Sequence, residues 1–284
     1  MKQVFSFALA MGLIFSSIPL LAQQNCCAVA AAPTAFAGLT KDRGFVNSHT
    51  EPLPYTLDEH KGKDINLKSA SGNQVYVYEV SANSNSKKVV FVIHEWWGLN
   101  DYIRHEADKI QEALGNDVRV IALDLYDNKV ATTRDSAAKY MQSVKAERAL
   151  EIIQTAINYA GPKAQIATIG WCFGGGWSLQ SSLAANKQTK ACVMYYGMPE
   201  ENVERLKTLR APVLFVWPTQ DQWINKQVVD KFKVNMKNAS KNLEVLSYEA
   251  DHAFANPSNP NHKEDFAKDA FEKAMNFIRK GFEN

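Results

Sequence analysis

Short apolar runs alternate with longer amphipathic segments along most of the chain. The runs are rich in β-branched and aromatic residues and predict seven strands, at 75–80, 89–94, 118–123, 166–170, 191–196, 213–217 and 243–248. Segments with a helical period predict six helices, at 102–114, 135–159, 176–185, 200–206, 226–238 and 263–279. Strands that alternate with helices indicate an α/β fold in three layers, α/β/α, with a mostly parallel central sheet.

The N-terminus carries a different pattern, an apolar run with a positively charged start. Lys2 precedes a mostly apolar stretch over residues 4–21, and Ala22 is a small residue suited to cleavage. A run of about 18 residues just reaches the length of a membrane anchor, but Pro19 and two serines interrupt it. We therefore predict that residues 1–22 are a cleaved signal peptide. The mature protein would then be periplasmic or secreted, with no stable membrane insertion.

Residues 23–54 show no sustained period and predict an N-terminal arm ahead of one domain at 55–284. The stretch 28–30 is a second candidate cleavage site. Cys26 and Cys27 are adjacent, and a bond between them would strain the backbone. Four cysteines do not make a disulfide framework in a chain of this size.

Composition and charge narrow the choice of partner. With 284 residues, 46% of them hydrophobic, the chain can bury a large core without help. A formal net charge of +2 gives no field that points to nucleic acid or to an anionic membrane. We expect a small-molecule ligand, and the oligomeric state is not set by the sequence.

Four reactive side chains follow predicted strands. Glu95 comes after the second strand, Cys172 after the fourth, Asp221 after the sixth and His252 after the seventh. Because the carboxyl ends of parallel strands share one edge of a sheet, these side chains are expected to lie near one another.

Cys172 occupies the centre of the strongest local motif, Gly-Trp-Cys-Phe-Gly-Gly at 170–175. An apolar strand that enters a glycine-rich turn and then a helix is typical of a nucleophile elbow. Such turns also bind phosphate, but no Gly-Lys-Ser/Thr follows and the dinucleotide spacing is absent. The nucleophile, acid and base follow the chain order of α/β-hydrolases, with Asp221 as acid and His252 as base.

These residue types suit acyl transfer. His252 would move the proton of the thiol to the leaving alcohol, and Asp221 would hold the tautomer of His252. The backbone N–H groups of Phe173 and Trp96 are the expected oxyanion hole. The intermediate would be a thioester, which water hydrolyses.

Five motifs together resemble the dienelactone hydrolase (carboxymethylenebutenolidase) family: Gly170-Trp171-Cys172-Phe173-Gly174-Gly175, His94-Glu95-Trp96-Trp97-Gly98, Asp124-Leu125-Tyr126, Tyr195-Tyr196-Gly197 and Asp251-His252-Ala253-Phe254. The resemblance implies the α/β-hydrolase fold, a Cys172, His252 and Asp221 triad, and ester or lactone hydrolysis. It also implies that Glu95 contacts the resting thiol and helps to switch it to a thiolate.

The sequence departs from the family where two arginines hold the carboxylate of dienelactone. Asp124-Leu125-Tyr126 is followed by Asp127, Asn128 and Lys129, and His252-Ala253-Phe254-Ala255 is followed by Asn256. The bidentate clamp is therefore missing, although Lys129 and Arg134 are cations close in sequence. Aromatic residues in the same loops predict an apolar pocket for an uncharged or aromatic ester or lactone: Trp97, Tyr126, Trp171 and Phe254.

Two other functions remain open at this point. The missing arginines and the quenching of Cys172 by Glu95 are compatible with a non-catalytic protein that binds small molecules on a hydrolase scaffold. A thiol redox protein would need a resolving cysteine, and Cys192 is expected in the core of a strand. No cofactor and no metal are predicted, because His94, His105, His252 and Asp221 lack tight ligand spacing.

Overall fold

An eight-stranded mixed sheet forms the centre of the molecule. The computed structural model describes residues 31–283, so the predicted signal peptide, Cys26 and Cys27 lie outside the described residues. The strands lie in the order β1-β2-β4-β3-β5-β6-β7-β8, and all pairs from β4 to β8 are parallel. Their bounds are β1 Lys63–Lys68, β2 Gln74–Val80, β3 Lys88–Ile93, β4 Val118–Leu123, β5 Gln165–Trp171, β6 Thr189–Tyr195, β7 Val213–Pro218 and β8 Leu243–Tyr248.

Helices cover the sheet and extend into the arm. Their bounds are α1 Ala31–Gly38, α2 Arg43–Ser48, α3 Asp101–Leu114, α4 Arg134–Ser143, α5 Ala146–Ala160, α6 Phe173–Ala185, α7 Val203–Thr208, α8 Lys226–Asn238 and α9 Glu264–Glu283. None of the helices between residues 31 and 283 combines the length and the apolar character that crossing a bilayer requires.

The predicted fold class is confirmed, and all seven predicted strands are present within two residues of their expected ends. The predicted helix at 135–159 is wrong as a single element, since Val144 and Lys145 adopt extended backbone and separate α4 from α5. β1 was not predicted, because this edge strand is largely exposed and its mixed polar sequence has little apolar signal. It pairs antiparallel with β2, which in turn pairs antiparallel with β4.

The parallel strands set the position of the reactive side chains. Four of these strands lie within one run of five neighbours in the sheet: β3, β5, β7 and β8. All four contain buried residues. Glu95, Cys172, Asp221 and His252 follow these four strands at their carboxyl ends. One edge of the sheet therefore carries all four groups, as the sequence predicts.

Candidate active site

Cys172 sits in a strained turn between β5 and α6. Its backbone has φ 55° and ψ −120°, a conformation that L-residues rarely adopt. The turn is tight because strand and helix nearly touch: a Cβ on Gly170 would lie 2.2 Å from the carbonyl oxygen of Gly174, and a Cβ on Gly174 would lie 2.3 Å from the carbonyl oxygen of Ile93. Only glycine fits at both positions. The turn therefore has the geometry of a nucleophile elbow.

His252 and Asp221 form a buried pair next to this turn. The Nδ1 atom of His252 lies 2.6 Å from Oδ2 of Asp221. The other carboxylate oxygen of Asp221 accepts hydrogen bonds from the backbone N–H groups of Trp223 and Ile224, both at 2.9 Å. These bonds fix the position of the carboxylate. The carboxylate in turn keeps a proton on Nδ1 of His252, so Nε2 is the nitrogen that can accept a proton.

Burial and neighbouring charges have opposing effects on the pKa values of the Cys172 thiol and the His252 imidazole. Burial raises the pKa of the Cys172 thiol and Glu95 raises it further, whereas His252 and the backbone N–H of Phe173 act to lower it. Burial lowers the pKa of His252, but the charges of Asp221 and of a Cys172 thiolate outweigh burial and raise this pKa well above its ordinary value. Burial and Glu95 thus favour the protonated thiol, whereas the Asp221 carboxylate favours the imidazolium form of His252, which forms when His252 takes the thiol proton.

Glu95 is buried close to the same groups. Burial raises its pKa to about 7, against the opposing effects of His252 and of a hydrogen bond from Asn256. Asn256 is itself buried and stands at one of the two positions where the family resemblance implies an arginine. The side chain at this position thus contacts Glu95 in this protein.

Phe173 and Trp96 are the two residues predicted to supply the oxyanion hole. Phe173 is the first residue of α6, directly after Cys172, and its N–H acts on the thiol. Trp96 follows Glu95 in the loop after β3 and is fully buried. Near this loop, His94 is held by its two ring nitrogens, one 2.8 Å from the Glu95 carbonyl and the other 3.0 Å from the N–H of Leu125.

The predicted pocket aromatics are all buried, and each of the four packs against at least one other aromatic ring. Tyr126 packs against His94 and Phe173, and Phe254 packs against Tyr196 and Tyr248. Trp97 contacts Trp96 edge-on. Trp171 contacts Tyr195 and lines a cavity of about 350 Å³ with residues of α3 and α9.

The N-terminal arm forms a cover over the nucleophile that the sequence does not predict. Helices α1 and α2 bring Phe36 and Phe45 to within 6.5 and 6.1 Å of the His252 ring, measured between ring centroids. His49, directly after α2, stacks on Trp96 at 4.3 Å and places Nε2 3.8 Å from the Cys172 Sγ. As a result Cys172 has no exposed surface and His252 is 5% exposed. We call residues 31–49 the cover.

With this geometry in place, comparison with known proteins identifies the family. Residues 74–282 match the dienelactone hydrolase family. The chain belongs to the dienelactone hydrolase family. It is therefore a hydrolase with the α/β-hydrolase fold, and the family predicted from the sequence is confirmed.

Relatives and solved structures of this dienelactone hydrolase family protein agree in fold. It is 24% identical to carboxymethylenebutenolidase 1 of Cupriavidus pinatubonensis over 211 residues, which cover 69% of this chain and 88% of that one. A dienelactone hydrolase-like promiscuous phosphotriesterase from metagenomic libraries superposes with a TM-score of 0.66 at 17% identity, covering 78% of this chain and 98% of that one. An esterase of Pyrococcus furiosus superposes with a TM-score of 0.54 at 13% identity, covering 81% and 99%.

The match to the dienelactone hydrolase family starts at residue 74, so the cover lies outside it. No family motif could therefore point to His49. A weak local signal exists in Asp42, which caps α2 by accepting from the Gly44 N–H and also accepts from the indole N–H of Trp223 at 3.2 Å. This link to the Asp221 loop is tertiary, and the sequence alone does not reveal it.

Proposed function

We propose that the protein hydrolyses an ester or lactone with Cys172 as nucleophile, His252 as base and Asp221 as the acid that orients it. The observation that carries the proposal is the buried pair of His252 and Asp221, 2.6 Å apart, beside a cysteine at φ 55° between β5 and α6. Family membership supports the same chemistry.

The reaction proceeds by acyl transfer. His252 takes the Sγ proton, and the thiolate attacks the substrate carbonyl carbon. The N–H groups of Phe173 and Trp96 stabilise the oxyanion. The C–O bond breaks as His252 gives its proton to the leaving alcohol. Water, deprotonated by His252, then attacks the thioester and releases the acid and the thiol.

Glu95 has a supporting part in this proposal. A charged carboxylate near Cys172 disfavours the thiolate by like-charge repulsion, so a Glu95 that takes up a proton eases ionisation of the thiol. Its pKa of about 7 allows both forms near neutral pH.

The substrate we propose is an uncharged or aromatic ester or lactone. Arg134 pairs with Glu51 of the N-terminal arm at 3.0 Å, and the Lys129 ammonium lies over the Tyr140 ring. Asn256 faces Glu95. Because each of these side chains already has another partner, none is left to bind a carboxylate on the substrate.

Unpaired polar atoms around Cys172 favour a ligand at this place. Six buried side-chain polar atoms lack a hydrogen-bond partner in the part of the chain that the structure describes, and three of them belong to this site: the indole N–H of Trp96, the hydroxyl of Tyr196 and Nε2 of His252. Buried polar groups nearly always have one. A bound ester would supply acceptors for the two donors.

The test is hydrolysis of a panel of aryl esters and lactones, each with a neutral and a carboxylate-bearing form, by wild type, Cys172→Ala and Cys192→Ala. Cys192 is a matched control, because it is a buried free cysteine that lies on β6 near Ser178 instead of in the turn. We expect turnover of neutral substrates to be lost only in Cys172→Ala. Equal rates in all three proteins would refute the proposal, and ligand retention without turnover would favour a binding protein.

We also propose that residues 1–22 direct export to the periplasm or the medium, on the basis of the apolar run with its Lys2 start. N-terminal sequencing of protein recovered from the periplasmic fraction tests this. A mature chain that begins at Gln23 is expected, and a chain that retains Met1 in the cytoplasm would contradict it.

A further inference from the structure

Cys172 has two histidine neighbours, although the proposed reaction uses only one of them. One ring nitrogen of His49, one of His252 and the Cys172 Sγ all lie within 4.8 Å of one another, and all three residues are buried. His49 Nε2 is 3.8 Å from Sγ. Thiolate and imidazole are the ligands that Zn²⁺ prefers, and three protein ligands leave a fourth position for water.

The spacing suits one ion at the centre of this triangle. In a tetrahedral site with Zn–S about 2.3 Å and Zn–N about 2.0–2.1 Å, a sulfur and a nitrogen ligand lie about 3.6 Å apart. The observed distance between His49 Nε2 and Cys172 Sγ is 3.8 Å. The three ligand atoms, which lie within 4.8 Å of one another, would have to move closer together to coordinate one ion.

Both histidines are fixed as metal-ligating histidines are. His49 Nδ1 lies 2.7 Å from the Phe45 carbonyl, and His252 Nδ1 lies 2.6 Å from the Asp221 carboxylate. Each acceptor holds a proton on Nδ1 and leaves the Nε2 lone pair free. Nε2 of His252 is buried beside Cys172 and makes no hydrogen bond to any other group among residues 31–283, so its lone pair is available to a ligand.

Two other histidines, His94 and His105, do not share this arrangement. His94 uses both ring nitrogens in backbone hydrogen bonds, and His105, which lies on α3, packs against Tyr55. The sequence predicts no metal, because His94, His105, His252 and Asp221 lack tight ligand spacing. His49 precedes Cys172 by 123 residues and reaches it only through the fold.

We propose that Cys172, His49 and His252 form a binding site for a Zn²⁺ ion. Binding releases the thiol proton to solvent as the Zn–S bond forms. Since the ion takes both the nucleophile and the base, Zn²⁺ blocks acyl transfer at this site. The cover thus supplies a ligand that the matched family region lacks.

The experiment measures metal binding directly, so its outcome is independent of whether the protein hydrolyses esters. Metal-free full-length protein is titrated with Zn²⁺ in competition with a chromophoric chelator, for wild type, His49→Gln, Cys172→Ser and the control His60→Gln. His60 is an exposed histidine. We expect one Zn²⁺ per chain in wild type and His60→Gln, and binding at least about a hundredfold weaker in the other two, since even outer partners of a ligand are worth tenfold or more.

Co²⁺ serves as a spectroscopic probe on wild type, which covers the case in which a variant does not fold. A thiolate-to-cobalt charge-transfer absorption that Zn²⁺ removes supports the site. The proposal is overturned if wild type shows no such absorption, or if folded His49→Gln binds Zn²⁺ as tightly as wild type does.

Discussion

The protonation of one buried carboxyl group, that of Glu95, makes the free energy of unfolding depend on pH. Burial raises its pKa from 4.5 to about 7. In the unfolded chain the carboxyl loses its proton at the lower pH, so between these two values the folded state binds more protons than the unfolded state. The free energy of unfolding therefore falls as pH rises through this window.

Glu95→Gln removes this dependence and keeps a group that can hydrogen-bond to Asn256. We expect the variant to gain stability over wild type as pH rises from 4.5 to 7, reaching about 3 kcal/mol above pH 7. Urea unfolding of both proteins at pH 5 and pH 8 measures the change. Glu244→Gln, at an exposed position, is the control. A difference between wild type and Glu95→Gln that does not vary with pH would contradict the burial of a titrating carboxyl.

At the scale of elements, the turn between β5 and α6 depends on close packing of backbone. Gly174 lies against the carbonyl groups of Ile93 and His94, each 2.3 Å from where a Cβ would be. The sequence predicts this turn well, because a strand, small residues and a helix in that order leave few other conformations. It does not predict α1 and α2, since short helices held by contacts to distant aromatic rings have no period of their own to detect.

Gly174→Ala is expected to destabilise the protein by about 3 kcal/mol, the upper end of the usual cost of overpacking, because backbone atoms cannot move aside as a side chain can. The control Gly38→Ala meets nothing within 4 Å and should change the stability little. Thermal unfolding of both variants gives the comparison. Equal melting temperatures would show that α6 shifts freely relative to β3.

The cover is the second element with a testable consequence. Phe45 packs against His49, Trp96 and Trp223 and shields Cys172. Truncating this ring should make opening of the cover easier. A loss of about 1.4 kcal/mol of packing raises the open population about tenfold, so iodoacetamide should alkylate Cys172 at least about tenfold faster.

Peptide mass spectrometry follows alkylation in wild type, Phe45→Ala and the control Val234→Ala, whose side chain is exposed. Cys192 is an internal reference, because it is a buried free cysteine on β6 instead of in the turn. If Cys172 reacts at the same rate in all three proteins, the cover does not limit access to it.

At the scale of the whole molecule, alternating strands and helices are enough to predict the layers, the parallel sheet and the edge that carries Glu95, Cys172, Asp221 and His252. These features follow from local periodicity and from the handedness of crossovers. The contact of His49 with Cys172 does not follow, since it joins residues 123 positions apart through a segment outside the family match. The roles of the four edge residues in the reaction stay predictions.

Acyl transfer through Cys172 is the central claim, and trapping the thioester tests it most directly. The protein is mixed with a neutral aryl ester, quenched in acid during turnover and digested for mass spectrometry. We expect the acyl mass on the peptide with Cys172, none on the peptide with Cys192, and its disappearance once the ester is consumed. Turnover without an acyl group on Cys172 would contradict the account.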